Sequence, residues 1–177
     1  MTRNLWAIRP VPDFINRMGE FLDKGIVAVG WPGVGDLGGG LTRDDIKERL
    51  CSAFNHYRNE QKNELAVAAG ILDRFVNRVA TGDFFLVPEG EDVYLAEVTG
   101  GYVFHPELDH HGPDAGYPHW RPVHFFKGGK PYCRILELPL GVRRAVDCRL
   151  TVFAISAAVV SMWTFLGMSP DGGGSPR

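Results

Sequence analysis

Apolar residues in the first third of the chain fall into short runs, each closed by turn-forming residues. Residues 5–9 (LWAIR) read as a strand. Pro10 and Pro12 would stop it and open a helix at its first turn, because their fixed φ suits that position and they need no donor there. Phe14, Ile15, Met18, Phe21 and Leu22 then recur at three- and four-residue spacing, which predicts one face of an amphipathic helix closed by Gly25. Residues 26–31 are a continuous apolar run of strand length, followed by a glycine-rich loop over 32–40. Thr42 with Asp45 three positions on resembles a capping box with a short acidic arm, starting a helix through Leu50 and Phe54. A second helix is expected over about 64–80, its inward stripe made by Leu65, Ala68, Ala69, Leu72, Phe75, Val76 and Val79.

From Gly82 the period changes to two. Residues 83–88, 93–99, 102–105 and 122–126 are short β segments separated by Glu-Gly, Gly-Gly and Gly-Gly-Lys turns. The insert between Pro106 and His119, rich in His, Asp, Gly and Pro, reads as a surface loop of the kind that often carries function. Helices early and a strand meander later predict an α+β fold: a small, strongly curved, mostly antiparallel β-barrel braced by helices. The domain is expected over residues 1–155, with an apolar segment and a Gly/Ser/Pro tail over 156–177.

Residues 150–168 are nineteen positions without a charge, preceded by Arg143, Arg144 and Arg149, which is near the length and flank of a membrane span. Four Ser/Thr, three Ala and a Gly lower the hydrophobicity of this segment, and residues 150–155 fit the closing strand of the domain. A membrane span is therefore not expected, although the pattern leaves open how the segment packs.

Composition agrees with one globular domain: 177 residues, 45% hydrophobic and 23% charged. Nineteen basic against 21 acidic residues give a formal charge of −2, so binding to a polyanion would have to come from a local patch. Cys51, Cys133 and Cys148 are odd in number, widely spaced and without a C-x-x-C, which argues against disulfides and structural zinc and for reduced thiols. The N-terminus lacks the apolar stretch of a secretory signal, so a cytoplasmic location is expected.

Gly33, Gly35 and Gly38 fit G-x-G-x-x-G after a strand, but Gly39, Gly40 and Leu41 separate the third glycine from the helix. No second strand ending in Asp or Glu follows about 20 residues on, so a dinucleotide site is not expected. His105, His110, His111 and His119 cluster in sequence with Asp109 and Asp114, yet lack helical H-x-x-x-H spacing or a cysteine partner, and no metal site is assigned. No catalytic residue is nominated: there is no G-x-S-x-G, no H-E-x-x-H, and Glu97 is followed by Thr99 where a metal-dependent nuclease would have lysine. No cofactor is expected.

Aromatic residues carry the remaining signal. Trp6, Trp31, Tyr102, Phe104, Tyr117 and Trp120 lie at strand ends or beside glycine-rich loops, where a ring can face a ligand as well as a core. An unpaired base is held by such stacking and by hydrogen bonds to its edge. Trp31 stands out because it ends a buried strand just before the glycines, with Asp36 five residues on as an acceptor for an exocyclic amine. Arg9, Arg121, Lys127, Lys130 and Arg134 flank the same strands and are candidates for phosphate contacts.

Five segments then resemble a known family: Trp6-Ala7-Ile8-Arg9-Pro10; Gly25 through Trp31 with Asp36-Leu37; Gly82 through Pro88; Val93 through Gly100; and Tyr117 through Val123. They are similar to the amino-terminal domain of certain Mrr-like restriction endonucleases, which resembles the PUA/EVE/YTH group of modified-base readers. The resemblance spans about residues 5–153. It implies a curved β-barrel with a pocket for a base, methylated or not, and Trp31 with the segment around Asp36 and Leu37 matches its Gly-Trp and Asp-Leu pattern. Together with the aromatic and basic residues read above, the base candidates are Trp31, Asp36, Leu37, Tyr102, Trp6 and Trp120, and the phosphate candidates Arg9, Arg121, Lys127 and Lys130. Nucleic acid, DNA ahead of RNA, is the expected partner, the alternative being an interaction or scaffold domain with no base pocket. Trp120 departs from the family in standing where a basic residue is usual, and the nuclease domain expected after such a reader is missing, so a separate nuclease subunit is a further expected partner. The cleft is expected between the Trp31 loop and the Tyr102 strand.

Overall fold

The computed structural model describes residues 3–59, 62–146, 151–155 and 159–168. In chain order these form β1 (Leu5–Ile8), α1 (Met18–Lys24), β2 (Ile26–Val29), α2 (Arg43–Ala53), α3 (Asn55–Asn59), α4 (Lys62–Asp73), β3 (Phe84–Glu89), β4 (Asp92–Val98), β5 (Val103–Phe104), β6 (His119–Phe125), β7 (Cys133–Arg134), α5 (Leu140–Val146), β8 (Val152–Ala154) and α6 (Val159–Leu166). The strands run β2-β6-β4-β3-β1-β8, with β5 added to β6 and β7 to β4. Only β1 and β3 pair in parallel; the other described pairs are antiparallel. The sheet is strongly curled but open, a half-barrel in a mixed α+β fold, rather than a closed barrel.

Both faces of this sheet are covered, which explains why β1 and the first four residues of β3 are apolar without alternating. Trp6, Ile8, Phe85 and Val87 face a core shared with α1, α2 and α4, whereas Leu5, Ala7, Phe84 and Leu86 face a second core closed by α5 and α6. The uncharged 150–168 stretch is split between β8, which pairs with β1, and α6, whose Met162, Trp163 and Leu166 are buried. Trp163 packs edge-on to Phe84 at 5.4 Å. Among the described residues no helix is long and apolar enough to cross a membrane. Cys51 and Cys133 are unpaired and half-buried, and burial raises the Cys133 thiol to about 11; Cys148 and the 169–177 tail lie outside the described residues.

Local signals hold where they are strongest. The Thr42–Asp45 capping box forms, each partner accepting from the other's backbone N–H. Gly25 closes α1 in the left-handed conformation, φ 62. The helix expected to begin just after Pro12 instead starts at Met18, whose N–H is capped by Asn16 at 2.9 Å. Asp13 and Phe14 have positive φ, so the chain turns there, and Phe14 stands 99% exposed rather than on the inward face. The helix expected to reach residue 80 ends in a widened turn over Arg74–Arg78.

Candidate functional site

Three loops meet at the end of the sheet where β2 finishes and β6 begins, positions held together by the Val29–His119 register. Between them lies a cleft of about 440 Å³ lined by Asp13, Phe14, Trp31, Phe54, His56, Tyr57 and His111, with Val11, Pro12, Gly30, Pro32 and Thr151 completing its wall. Its volume falls within the range usual for small-ligand sites, about 300–1,000 Å³. Trp31 donates its indole N–H to Tyr57 Oη at 3.3 Å, and Phe54 meets Tyr57 edge-on at 5.8 Å.

The backbone of this cleft is unusual. Four non-glycine residues among those described have left-handed φ, and three of them line it: Asp13 at 49°, Phe14 at 63° and Trp31 at 62°. Each such residue costs on the order of 1–3 kcal/mol and persists only where surrounding packing over-determines it. Here the packing is specific. A Cβ on Gly30 would meet Asp13 N at 2.8 Å, and one on Gly116 would meet Asp13 Oδ2 at 2.6 Å, so both glycines make room for Asp13. His111 Nδ1 lies 2.9 Å from Asp13 Oδ2. The loop bearing His111 is anchored in turn by buried Arg17, which donates to the Ala115 carbonyl at 2.7 Å and sits 4.8 Å from the Tyr117 ring centre.

A second, shallower groove of about 520 Å³ adjoins the cleft. It shares Phe14, Trp31 and Tyr57 with it and is walled by Val67, Ala68 and Ile71 of α4, with Asn63 and Glu64 at one end. Two arginines meet beside Gly70 of α4: Arg43, which opens α2, donates to the Ala66 carbonyl at 2.7 Å, and Arg74, just past α4, donates to the Val152 carbonyl at 3.0 Å.

The fold scatters most of the expected site residues. Only Trp31 of the six base candidates lines the cleft. Trp6 is buried in the core and donates its indole N–H to Asp83 at 2.8 Å, a carboxylate that also accepts from Asn4 and Ala80. Asp36 is exposed and its carboxylate accepts from Gly38 N at 2.8 Å, while the Leu37 side chain is fully buried. Tyr102 is half-buried, accepts the Leu37 N–H at 3.2 Å and meets His119 Nδ1 at 2.8 Å, and it does not line the Trp31 cleft. Trp120 donates to the Tyr117 carbonyl at 2.6 Å and stacks near His105 at 3.8 Å, away from the cleft lining. The acidic group of the cleft is Asp13, which sequence pattern hides inside an expected helix start.

The phosphate candidates are dispersed as well. Arg121 is buried and donates to three carbonyls, of Phe75 and Val76 in the widened turn at 2.7 Å and of Gly100 at 3.5 Å. Lys127 donates to the Tyr132 carbonyl at 2.8 Å, and both it and Lys130 follow the far end of β6 from His119. Arg9 lines a hollow of about 260 Å³ that shares Val11 with the cleft. The histidines separate: among the described residues no three His, Cys, Asp or Glu side chains converge as a metal site would need.

His119 opens β6 opposite Val29 and packs against Tyr102 and Phe104. It is fully buried, and desolvation lowers its pKa to about 4 against the opposing pull of Asp36 and the Trp31 carbonyl. That carbonyl is near enough to favour the charged ring but outside hydrogen-bond geometry, since Nε2 makes no hydrogen bond. The neutral ring accepts from Tyr102, whose own pKa burial raises. Between pH 6.5 and about 4 the unfolded chain binds a proton that the folded chain refuses, so stability is full above this window and falls as pH falls through it. Urea unfolding at pH 7 and pH 4.5 is expected to show about 2–3 kcal/mol more loss in the native protein than in His119→Gln. An equal loss in both would mean that His119 is not the titrating group.

A curled α+β half-barrel with an aromatic, carboxylate-bearing cleft at the β2 end defines the class of protein. Residues 16–145 match the model of a family described as a domain of unknown function (DUF8426), and the chain belongs to that family. No curated protein and no solved structure matches the chain. The matched stretch includes Trp31, Phe54, His56, Tyr57 and His111 but not Asp13 or Phe14.

Proposed function

We propose that this protein is a PUA/EVE-like reader that takes a single nucleic-acid base into the Trp31 cleft, and that it serves as the recognition part of a restriction or defence system. The observation that carries the reading is the convergence of three left-handed residues, Asp13, Phe14 and Trp31, on one aromatic cleft. Strain maintained at one place by dedicated glycines is characteristic of ligand clamps. Rings supply stacking faces that every base can use, and the Asp13 carboxylate accepts hydrogen bonds from ring or exocyclic N–H groups on the base edge. The resemblance of the strand segments to modified-base readers supports the same reading, with DNA as the polymer.

Fluorescence anisotropy with labelled oligonucleotides, single-stranded and duplex, carrying cytosine, 5-methylcytosine, adenine or N6-methyladenine at one position tests it. One base should be preferred, and Asp13→Asn, which keeps the fit beside Gly116, should reduce that preference by about tenfold, the usual size of one good base-edge contact. Equal weak binding of every oligonucleotide by both proteins would overturn the proposal.

A further inference from the structure

Resting on that reading, we infer that the site holds two adjacent bases of one strand, the first in the Trp31 cleft and its neighbour in the groove along α4, with Phe14 between them. The cleft and groove are continuous through Phe14, Trp31 and Tyr57, which line both. Phe14 has no packing reason to be where it is: its ring is 99% exposed at a left-handed position, so neither the core nor the local backbone favours it. A ring so placed between two hollows can stack on what enters either one.

The groove has the character of a stacking surface. Val67 of α4 is 46% exposed beside buried Ala68 and Ile71, and with these two and Trp31 it forms an apolar wall. Asn63 and Glu64 add polar groups only at one end. A second base suits this wall because it needs an apolar face and tolerates any sequence, whereas the first cleft has the carboxylate to discriminate.

Five-unit single-stranded deoxyoligonucleotides test the footprint without changing the number of phosphates. One set carries a single base at the centre and abasic sugars elsewhere, with the four standard bases, 5-methylcytosine and N6-methyladenine each tried; the other adds a second base on one side or the other. For the base that binds best, a neighbour on one side should tighten binding by about tenfold, and the same neighbour on the other side should not. Val67→Glu, at an exposed helical position that tolerates it, should abolish this gain. Any repulsion by the new carboxylate weakens both sets alike, so only loss of the difference counts. If single-base oligonucleotides bind and a neighbour adds nothing, or if the gain survives Val67→Glu, the two-base footprint is wrong while the base reader stands. If no oligonucleotide binds, the reader falls and the footprint with it.

Discussion

Replacing Trp31 with alanine is expected to weaken binding of the preferred oligonucleotide by about tenfold to a hundredfold, the range found when a base-stacking aromatic is truncated. The ring lines both the cleft and the groove, and its N–H fixes the Tyr57 hydroxyl at 3.3 Å, so its loss removes one stacking face and frees another. Fold stability should change far less. Trp31 is only half-buried and sits at φ 62, a conformation that disfavours any residue with a side chain. Trp31→Gly sharpens the test, because glycine adopts that φ freely and should be about 1 kcal/mol more stable than Trp31→Ala while binding equally poorly. Thermal melts and anisotropy titrations of the three proteins report both quantities. Undiminished binding by Trp31→Ala would mean that the base sits somewhere other than the cleft.

Arg121→Met is expected to cost on the order of 4–5 kcal/mol of stability, an unusually large effect for one substitution. The guanidinium lies buried against Phe75 and serves the carbonyls of Phe75, Val76 and Gly100. Methionine fills much of the same volume but leaves those acceptors without a donor, and each buried unsatisfied group costs about 1–3 kcal/mol. Chemical denaturation should show the loss at pH 7 as a lower midpoint with an unchanged slope. A phosphate-binding arginine behaves in the opposite way: its removal leaves stability intact and flattens the salt dependence of binding. That result would return Arg121 to the interface and contradict the geometry.

Arg121 and Trp6 show why the site was only partly legible in the sequence. Both are of residue types that serve ligands and cores equally well, and the choice depends on a partner distant in sequence: Asp83 for Trp6 across 77 positions, and the widened turn at Phe75 for Arg121 across 46. Trp31 was legible because a strand-ending tryptophan followed by proline and glycines has a narrow set of uses. Asp13 and Phe14 were not, since proline followed by helically spaced apolar residues is the ordinary mark of a helix start. The turn that exposes them needs Gly30 and Gly116 to make space, and neither contact leaves a local trace.

The features readable from the chain are those whose causes are local: the capping box at Thr42, the left-handed stop at Gly25, the strands from Gly82 onward, and an α+β class. Short-range hydrogen bonding, backbone sterics and side-chain period act within a few residues, so neighbours suffice to specify them. The fate of the uncharged 150–168 stretch, which covers the second face of the sheet, depended on long-range packing, because an apolar run has the same composition whether protein or lipid receives it. The site depended on it too. The cleft is assembled from residues 11 to 151, and the left-handed turns that shape it are stable only because packing from other loops offsets a cost that the local chain would not bear.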